Sequence, residues 1–98
     1  MIRHAAIFRL NHSKGSADEA AFLHALSELR SIPGVLDFAV SREISPKNDF
    51  DFAVSMQFAT QAQYNGYNDH PLHVAFVQSR WIPEVAAFME HDTVPLGQ

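Results

Sequence analysis

The sequence has no cysteine, few basic residues and no long apolar segment, and each absence excludes a class of protein. Without cysteine, the chain cannot form a disulfide, a thiolate metal site or a cysteine nucleophile. Seven basic residues against eleven acidic ones give a net charge of −4, and the basic residues are scattered, so a nucleic-acid partner is not expected. The longest apolar run, residues 85–89, is far shorter than the roughly 20 residues of a membrane span. The N-terminus lacks a signal-peptide layout, so we expect a cytoplasmic protein.

The size of the chain predicts a single domain. Ninety-eight residues with 47% hydrophobic and 18% charged content are typical of one globular unit, and we assign it residues 1–98 with 93–98 as a loose tail. A domain of this size buries only about 60–65% of the surface of its unfolded chain. Pairing with another copy would therefore bury additional apolar surface.

Hydrophobic periodicity predicts four strands and two helices. Ser16 and Glu19 form a capping box that opens the first helix, and Pro33 ends it. Pro71 is suited to an early position of the second helix, which ends near residue 81. The predicted strands span residues 2–10, 35–44, 50–59 and 85–92, and residues 61–68 form a short helical turn. The order β-α-β-β-α-β is that of an α+β, ferredoxin-like protomer.

The predicted sheet has one bulky face and one face of small, weakly polar side chains. Both helices must pack on the bulky face. The small face lacks the mid-strand charges of a solvated sheet, and small side chains let a second sheet approach closely, so we predict a homodimer through this face. The alternative is a monomer with this face in water. The bulky face carries Phe8, Leu36, Phe38, Phe52, Val54, Met56, Phe58 and Phe88; the small face carries Ala5, Ile7, Ala39, Ser41, Ala53, Ser55, Gln57, Ala87 and Met89.

Histidine is frequent, with six in 98 residues, and it is the side chain that titrates near neutral pH. His73 falls within the apolar arc of the second helix, so we expect it to point at the bulky face of the sheet. Strand parity places His4, Glu90 and Asp92 on that same face, with Tyr67 nearby. Polar groups that converge on an apolar cavity in this way are typical of a small-molecule site.

These residues also have simpler interpretations. His4 and His73 could be core histidines that bind a carboxylate or a carbonyl group, and Tyr67 could be a lid residue with its hydroxyl in water. His70 and His73 have the i, i+3 spacing of a helical metal site, but no third ligand joins them and His70 could be a helix cap. With no phosphate loop or dinucleotide fingerprint either, we expect neither metal nor cofactor. The carbonyl groups of residues 31–35 could hold a structural hard cation.

Several stretches resemble the stress-responsive dimeric α/β-barrel (Dabb) family. They are the opening residues 3–10, the helix end at residues 32–35, the closing Trp81-Ile-Pro83 and, most specifically, Tyr67-Asn-Asp-His70-Pro71-Leu-His73-Val-Ala-Phe76-Val77. The resemblance covers nearly the whole chain and implies a homodimer whose sheets pair face to face with the helices outside. Some members resemble polyketide cyclases that close a ring by an aldol reaction without a cofactor. In those enzymes a histidine and a tyrosine of the specific block are the acid/base pair.

By position, that pair corresponds to His73 and Tyr67, which we take as candidate catalytic residues. The predicted substrate contacts are His4, Phe8, Phe22, Val54, Phe76, Phe88 and Glu90. Ala6 is smaller than its counterpart in the cyclases and Glu90 adds a charge, so a long alkyl substrate is not expected.

Three functional hypotheses follow. The first is an apolar small-molecule pocket with acid/base chemistry on a carbonyl or polyketide-like compound, in a cofactor-independent lyase, cyclase or isomerase. The second is a non-catalytic ligand-binding or stress-associated dimer. The third is a protein similar to the cofactor-free monooxygenases, which share the scaffold but not the His-Pro-x-His block. Fold alone does not distinguish them.

Overall fold

A computed structural model describes residues 1–97 and shows a ferredoxin-like α+β fold in which helices cover one side of a single antiparallel sheet. The sheet order is β2-β3-β1-β4, so β1 is central and β4 lies at an edge. No helix within these residues is long and apolar enough to cross a bilayer. The elements are β1 (Ile2–Leu10), α1 (Ala17–Ser27), β2 (Leu36–Arg42), β3 (Phe52–Phe58), α2 (Gln61–Asp69), α3 (Pro71–Phe76), α4 (Ile82–Glu84) and β4 (Val85–Thr93).

Side-chain caps determine where the helices begin. The Ser16 hydroxyl accepts from the Glu19 N–H at 3.1 Å, and the Glu19 carboxylate accepts from the Gly15 N–H at 3.1 Å, which satisfies two backbone donors at the start of α1. Thr60 caps α2 in the same way. His70 caps α3, because its Nδ1 accepts from the Leu72 N–H at 3.1 Å. The cap interpretation of His70 is therefore confirmed.

Two stretches differ from the sequence prediction. Residues 61–69 form a complete helix, not a short turn, because Thr60 supplies an N-cap. The predicted second helix is α-helical only to Phe76 and continues as a π-helical turn over Val77–Trp81 before α4. Pro83 lacks the N–H that a regular α-helix would need at this point, and π-helical turns are frequent at functional sites.

The prediction for Leu36 is wrong. Leu36 pairs with Gln57 and Ala39 pairs with Ser55, so an advance of three residues along β2 matches an advance of two along β3. Asp37, with φ of 50°, absorbs the irregularity. Leu36 therefore lies on the small face of the sheet, where it is 41% exposed.

The core lies between the bulky face and the helices. Its fully buried side chains are Phe8, Phe22, Leu26, Met56 and Phe58. The helices cover β1 and β3, whose inward side chains are all buried from His4 to Leu10 and from Phe52 to Phe58, but they leave the helix-facing side of edge strand β4 partly open. A gap therefore remains above β4 and the end of β1.

Candidate functional site

A cavity of about 580 Å³ lies between the helix layer and the sheet. Its walls are mostly apolar, with a small number of polar groups on facing elements, which is the usual composition of a ligand pocket. The sheet contributes His4, Ala6, Val54, Met56, Phe88 and Glu90, and the helical side contributes Tyr64, Tyr67, Asn68, His73, Phe76 and Trp81.

His73 presents one free ring nitrogen to the cavity. Its Nδ1 lies 3.1 Å from the carbonyl oxygen of Asn68, so Nδ1 carries the proton and donates it. No buried side-chain nitrogen or oxygen in residues 1–97 lacks a hydrogen-bond partner. The unpaired Nε2 of His73 must therefore reach open space, and that space is the cavity that His73 lines.

The surroundings of His73 favour the neutral imidazole. Burial lowers the pKa of His73 below its ordinary value, and the nearby His4 acts in the same direction. The Asn68 carbonyl and Glu90 oppose this shift without reversing it. At neutral pH, Nε2 is thus an unprotonated base.

Tyr67 supplies a matching proton donor. The residue is 2% exposed, and its ring centroid lies 4.4 Å from that of His73. Its hydroxyl has no partner in residues 1–97, so by the same reasoning it opens into the cavity. Burial, with a contribution from Glu90, raises the pKa of Tyr67 above its ordinary value, which keeps the hydroxyl protonated. The interpretation of Tyr67 as a lid residue with its hydroxyl in bulk water is wrong.

His4 is held by a network that sequence reasoning described only in part. Its Nδ1 donates to Asp92 at 2.7 Å and lies 2.9 Å from the hydroxyl of Tyr64. The Tyr64 hydroxyl in turn donates to the Asp92 carboxylate at 2.8 Å. This arrangement leaves Nε2 of His4 unpaired and directed to the cavity. Tyr64 was missed, although it stands one helical turn before Tyr67 and so shares its face.

The structure brings most of the predicted site residues together. His4, Val54, Phe76, Phe88 and Glu90 line the same cavity as His73 and Tyr67. Phe8 and Phe22 do not: both are 0% exposed, and they pack against each other and Trp81 in the core. Their placement in the pocket wall is corrected, because the helix layer closes over the middle of β1 and opens only towards its N-terminal end.

Phe22→Ala should therefore change stability, since Phe22 packs in the core and not in the pocket wall. Removing a fully buried phenylalanine leaves a cavity and costs about 3–5 kcal/mol of unfolding free energy. Urea denaturation measures this loss. Leu72→Ala, at a position 36% exposed, is the matched control and should cost less than about 1 kcal/mol. Unchanged stability combined with lost ligand binding would place Phe22 in the pocket wall after all.

Across residues 1–97, histidine, aspartate and glutamate side chains form no cluster of three or more that could hold a metal ion. His12 pairs with Glu84 at 2.6 Å, and His24 pairs with Glu28 at 3.4 Å, both away from the cavity. The chemistry that this site can perform with its own side chains is proton transfer.

Comparisons with known proteins agree with this fold. The family model described as Stress responsive A/B Barrel Domain matches residues 2–95. The chain is similar to a dabb family protein from Mesorhizobium loti, with 54% identity, a TM-score of 0.95 and coverage of 98% of this chain and 97% of that one. A dimeric ferredoxin-like protein of unknown function from Thermobifida fusca is 27% identical, with a TM-score of 0.79 and coverage of 96% and 90%.

More distant structures share the fold alone. The hydroxynitrile lyase from Passiflora edulis is 14% identical, with a TM-score of 0.85 and coverage of 99% of this chain and 94% of that one. No protein with a curated description matches the sequence.

Proposed function

The chain belongs to the stress responsive A/B barrel domain family, and on that premise we propose that it is an acid–base catalyst that removes a proton from the carbon beside a carbonyl group. The observation that carries this proposal is the pairing of two unpartnered polar atoms, Nε2 of His73 and the hydroxyl oxygen of Tyr67, in one largely apolar cavity. One atom is a base and the other is a proton donor.

The proposed step needs only these side chains. Nε2 of His73 takes the proton from the α carbon, and the electron pair of the broken C–H bond moves into the carbonyl group to form an enolate. The Tyr67 hydroxyl donates a hydrogen bond to the oxygen on which negative charge develops. The proton on His73 then returns to carbon. Alternatively, the enolate carbon attacks a second carbonyl of the same molecule in an aldol closure, and the alkoxide formed there takes the proton from His73.

The hydrogen bond of His73 to Asn68 gives the base a fixed orientation. Because Nδ1–H donates to a backbone carbonyl five residues earlier, the tautomer that exposes a basic Nε2 is favoured. The Asn68 carbonyl also stabilises the imidazolium that forms after proton transfer. This supports a catalytic use of His73 over a purely structural one, since the free nitrogen faces space and not protein.

The test is α-proton exchange into deuterated water, followed by NMR with a panel of small enolisable ketones and β-keto thioesters. We expect exchange by the native protein, and Tyr67→Phe should slow it by about 10-fold because a hydrogen bond to the developing oxyanion is lost. Tyr64→Phe is the matched comparison and should slow exchange less, because the hydroxyl it removes is bound to Asp92. Thermal unfolding checks that both variants remain folded.

Absence of exchange with every compound would contradict the proposal. If the compounds still bound, the site would instead be that of a ligand-binding protein without chemistry, which is the second hypothesis from the sequence. An equal loss in both tyrosine variants would remove the special role of Tyr67.

We also propose that two copies pair through the small face of the sheet. The helices cover only the other face, and on the small face the apolar side chains of Leu36 and Met89 are 41% and 55% exposed. Alanine, serine and glutamine occupy the centre of this face and would permit close approach of a second sheet. The Thermobifida fusca protein with the same fold is dimeric. The active cavity lies on the opposite side of the sheet, so pairing would leave it open.

A further inference from the structure

Glu90 contributes a carboxylate to the cavity wall. It stands opposite Ala6 in the β1–β4 pairing, on the helix side of the sheet, and lines the cavity at the open edge strand. Within residues 1–97, no ion pair and no side-chain hydrogen bond involves Glu90. The neighbouring carboxylate of Asp92, in contrast, is bound by His4 and Tyr64. Glu90 is thus available to a ligand.

No lysine or arginine lines the cavity to offset the charge of Glu90. Burial lowers the pKa of His73, which favours its neutral imidazole at pH 7. His4 also lines the cavity, but its Nδ1 is already bound by the carboxylate of Asp92. The charge of Glu90 also reaches the reacting groups, since it contributes to the raised pKa of Tyr67. The potential inside the cavity is therefore negative. A ligand carboxylate would be repelled and would lose hydration without gaining a partner.

The wall next to Glu90 is aromatic. Phe88 precedes it by two residues on the same face of β4 and meets Trp81 edge to face, with ring centroids 5.4 Å apart. Both rings line the cavity, and Phe88 is 51% exposed. Aromatic faces attract cations through their quadrupole, and the attraction grows when water is excluded. A carboxylate beside two aromatic rings is a suitable environment for an ammonium group.

We propose that the cavity selects carbonyl compounds that carry an ammonium group, with Glu90 as the specificity-determining counter-ion and Trp81 and Phe88 as the aromatic wall. This selectivity rests on the proposed function, which places the carbonyl group beside His73 and Tyr67. It adds that the rest of the substrate carries an ammonium group. The carbonyl end faces His73 and Tyr67, and the ammonium end faces β4. Anionic carbonyl compounds, including carboxylates and phosphorylated thioesters, are disfavoured by the same charge.

Three matched ketones test this selectivity: 4-methylacetophenone, 4-(aminomethyl)acetophenone and 4-acetylbenzoate, which are neutral, cationic and anionic at pH 7. Titration of the folded protein, followed by NMR, gives each dissociation constant, and α-proton exchange is read from the same samples. We expect the cationic ketone to bind about 5–10-fold more tightly than the neutral one, as for a partly screened ion pair, and the anionic ketone to bind most weakly. Raising the salt concentration should reduce the preference.

Glu90→Gln keeps the shape of the side chain and removes its charge, so it should abolish the preference for the cation while leaving the affinity for the neutral ketone within about two-fold. Glu28→Gln, which removes an exposed carboxylate away from the cavity, is the control and should leave all three affinities unchanged. Equal binding of cation and anion by the native protein would overturn the proposal. The proposal would also be overturned if none of the three ketones bound, or if the preference for the cationic ketone survived in Glu90→Gln.

Binding and exchange separate this inference from the proposed function. Cation preference that depends on Glu90, without exchange in any sample, would support the selectivity and contradict the catalysis. Exchange of the neutral ketone without cation preference would support the catalysis and contradict the role of Glu90.

Discussion

His73→Ala is expected to slow α-proton exchange by about 10²–10⁴-fold, which is the usual contribution of a positioned general base. The variant removes the only cavity group in residues 1–97 that combines an unpaired nitrogen with a pKa lowered by burial. Exchange rates measured by NMR with a compound that the native protein turns over give the size of the loss.

His24→Ala is the matched control, because His24 is exposed on α1 and pairs only with Glu28. It should leave the exchange rate unchanged. The pH profile provides an independent check. Because the pKa of His73 lies below its ordinary value of 6.5, the midpoint of the fall in the native rate should lie below pH 6.5, as Nε2 becomes protonated. Exchange that survives in His73→Ala would remove the assigned base.

Ser55→Arg is expected to convert the protein from a dimer of about twice 11.0 kDa to a monomer. Ser55 stands in β3 at the centre of the small face, opposite Ala5 on β1 and Ala39 on β2. A symmetric interface contains each substitution twice, so two unpaired charges would be buried in one contact. Each buried charge costs several kcal/mol without a partner, which is enough to dissociate a dimer at micromolar concentration. Light scattering measures the mass directly.

Ala20→Arg introduces the same side chain on the exposed surface of α1 and should leave the mass unchanged. Ala53→Glu, a neighbour of Ser55 on the small face, should dissociate the dimer with a charge of the opposite sign. A native protein that is monomeric at micromolar concentration would contradict the interface. Retention of the dimer in both variants would place it on another surface.

Much of the site could be predicted from the sequence, because strand parity and helical spacing are local properties. Alternation along β1 and β4 places His4, Glu90 and Asp92 on the helix side of the sheet whatever the rest of the chain does. The helical wheel directs His73 inward for the same reason. The family resemblance through the Tyr-x-x-His-Pro-x-His block added the pairing of Tyr67 with His73, and their rings lie side by side.

The errors arose where a distant contact or an irregular backbone decided the outcome. Leu36 lies on the opposite face from the predicted one because Asp37 adopts a positive φ. One extra residue in a strand moves the side chains that precede it to the other face of the sheet. The Tyr64–Asp92 contact joins residues 28 positions apart, and no local pattern measures such a distance. Phe8 and Phe22 share the face of the pocket residues, yet the depth at which the helices close over the sheet excludes them from the cavity.

The sequence by itself therefore determined the order of the strands and main helices and the face on which each strand residue of β1, β3 and β4 lies, because these follow from periodicity. The assignment of His73 as the base and Tyr67 as the proton donor came from the family resemblance and stays a prediction. Only the tertiary structure decided which residues of the bulky face enclose empty space, which nitrogen of each histidine is free, and that Glu90 has no partner while Asp92 has two. Those facts depend on packing between elements that are distant in the chain, where a shift of about one ångström makes or breaks a hydrogen bond.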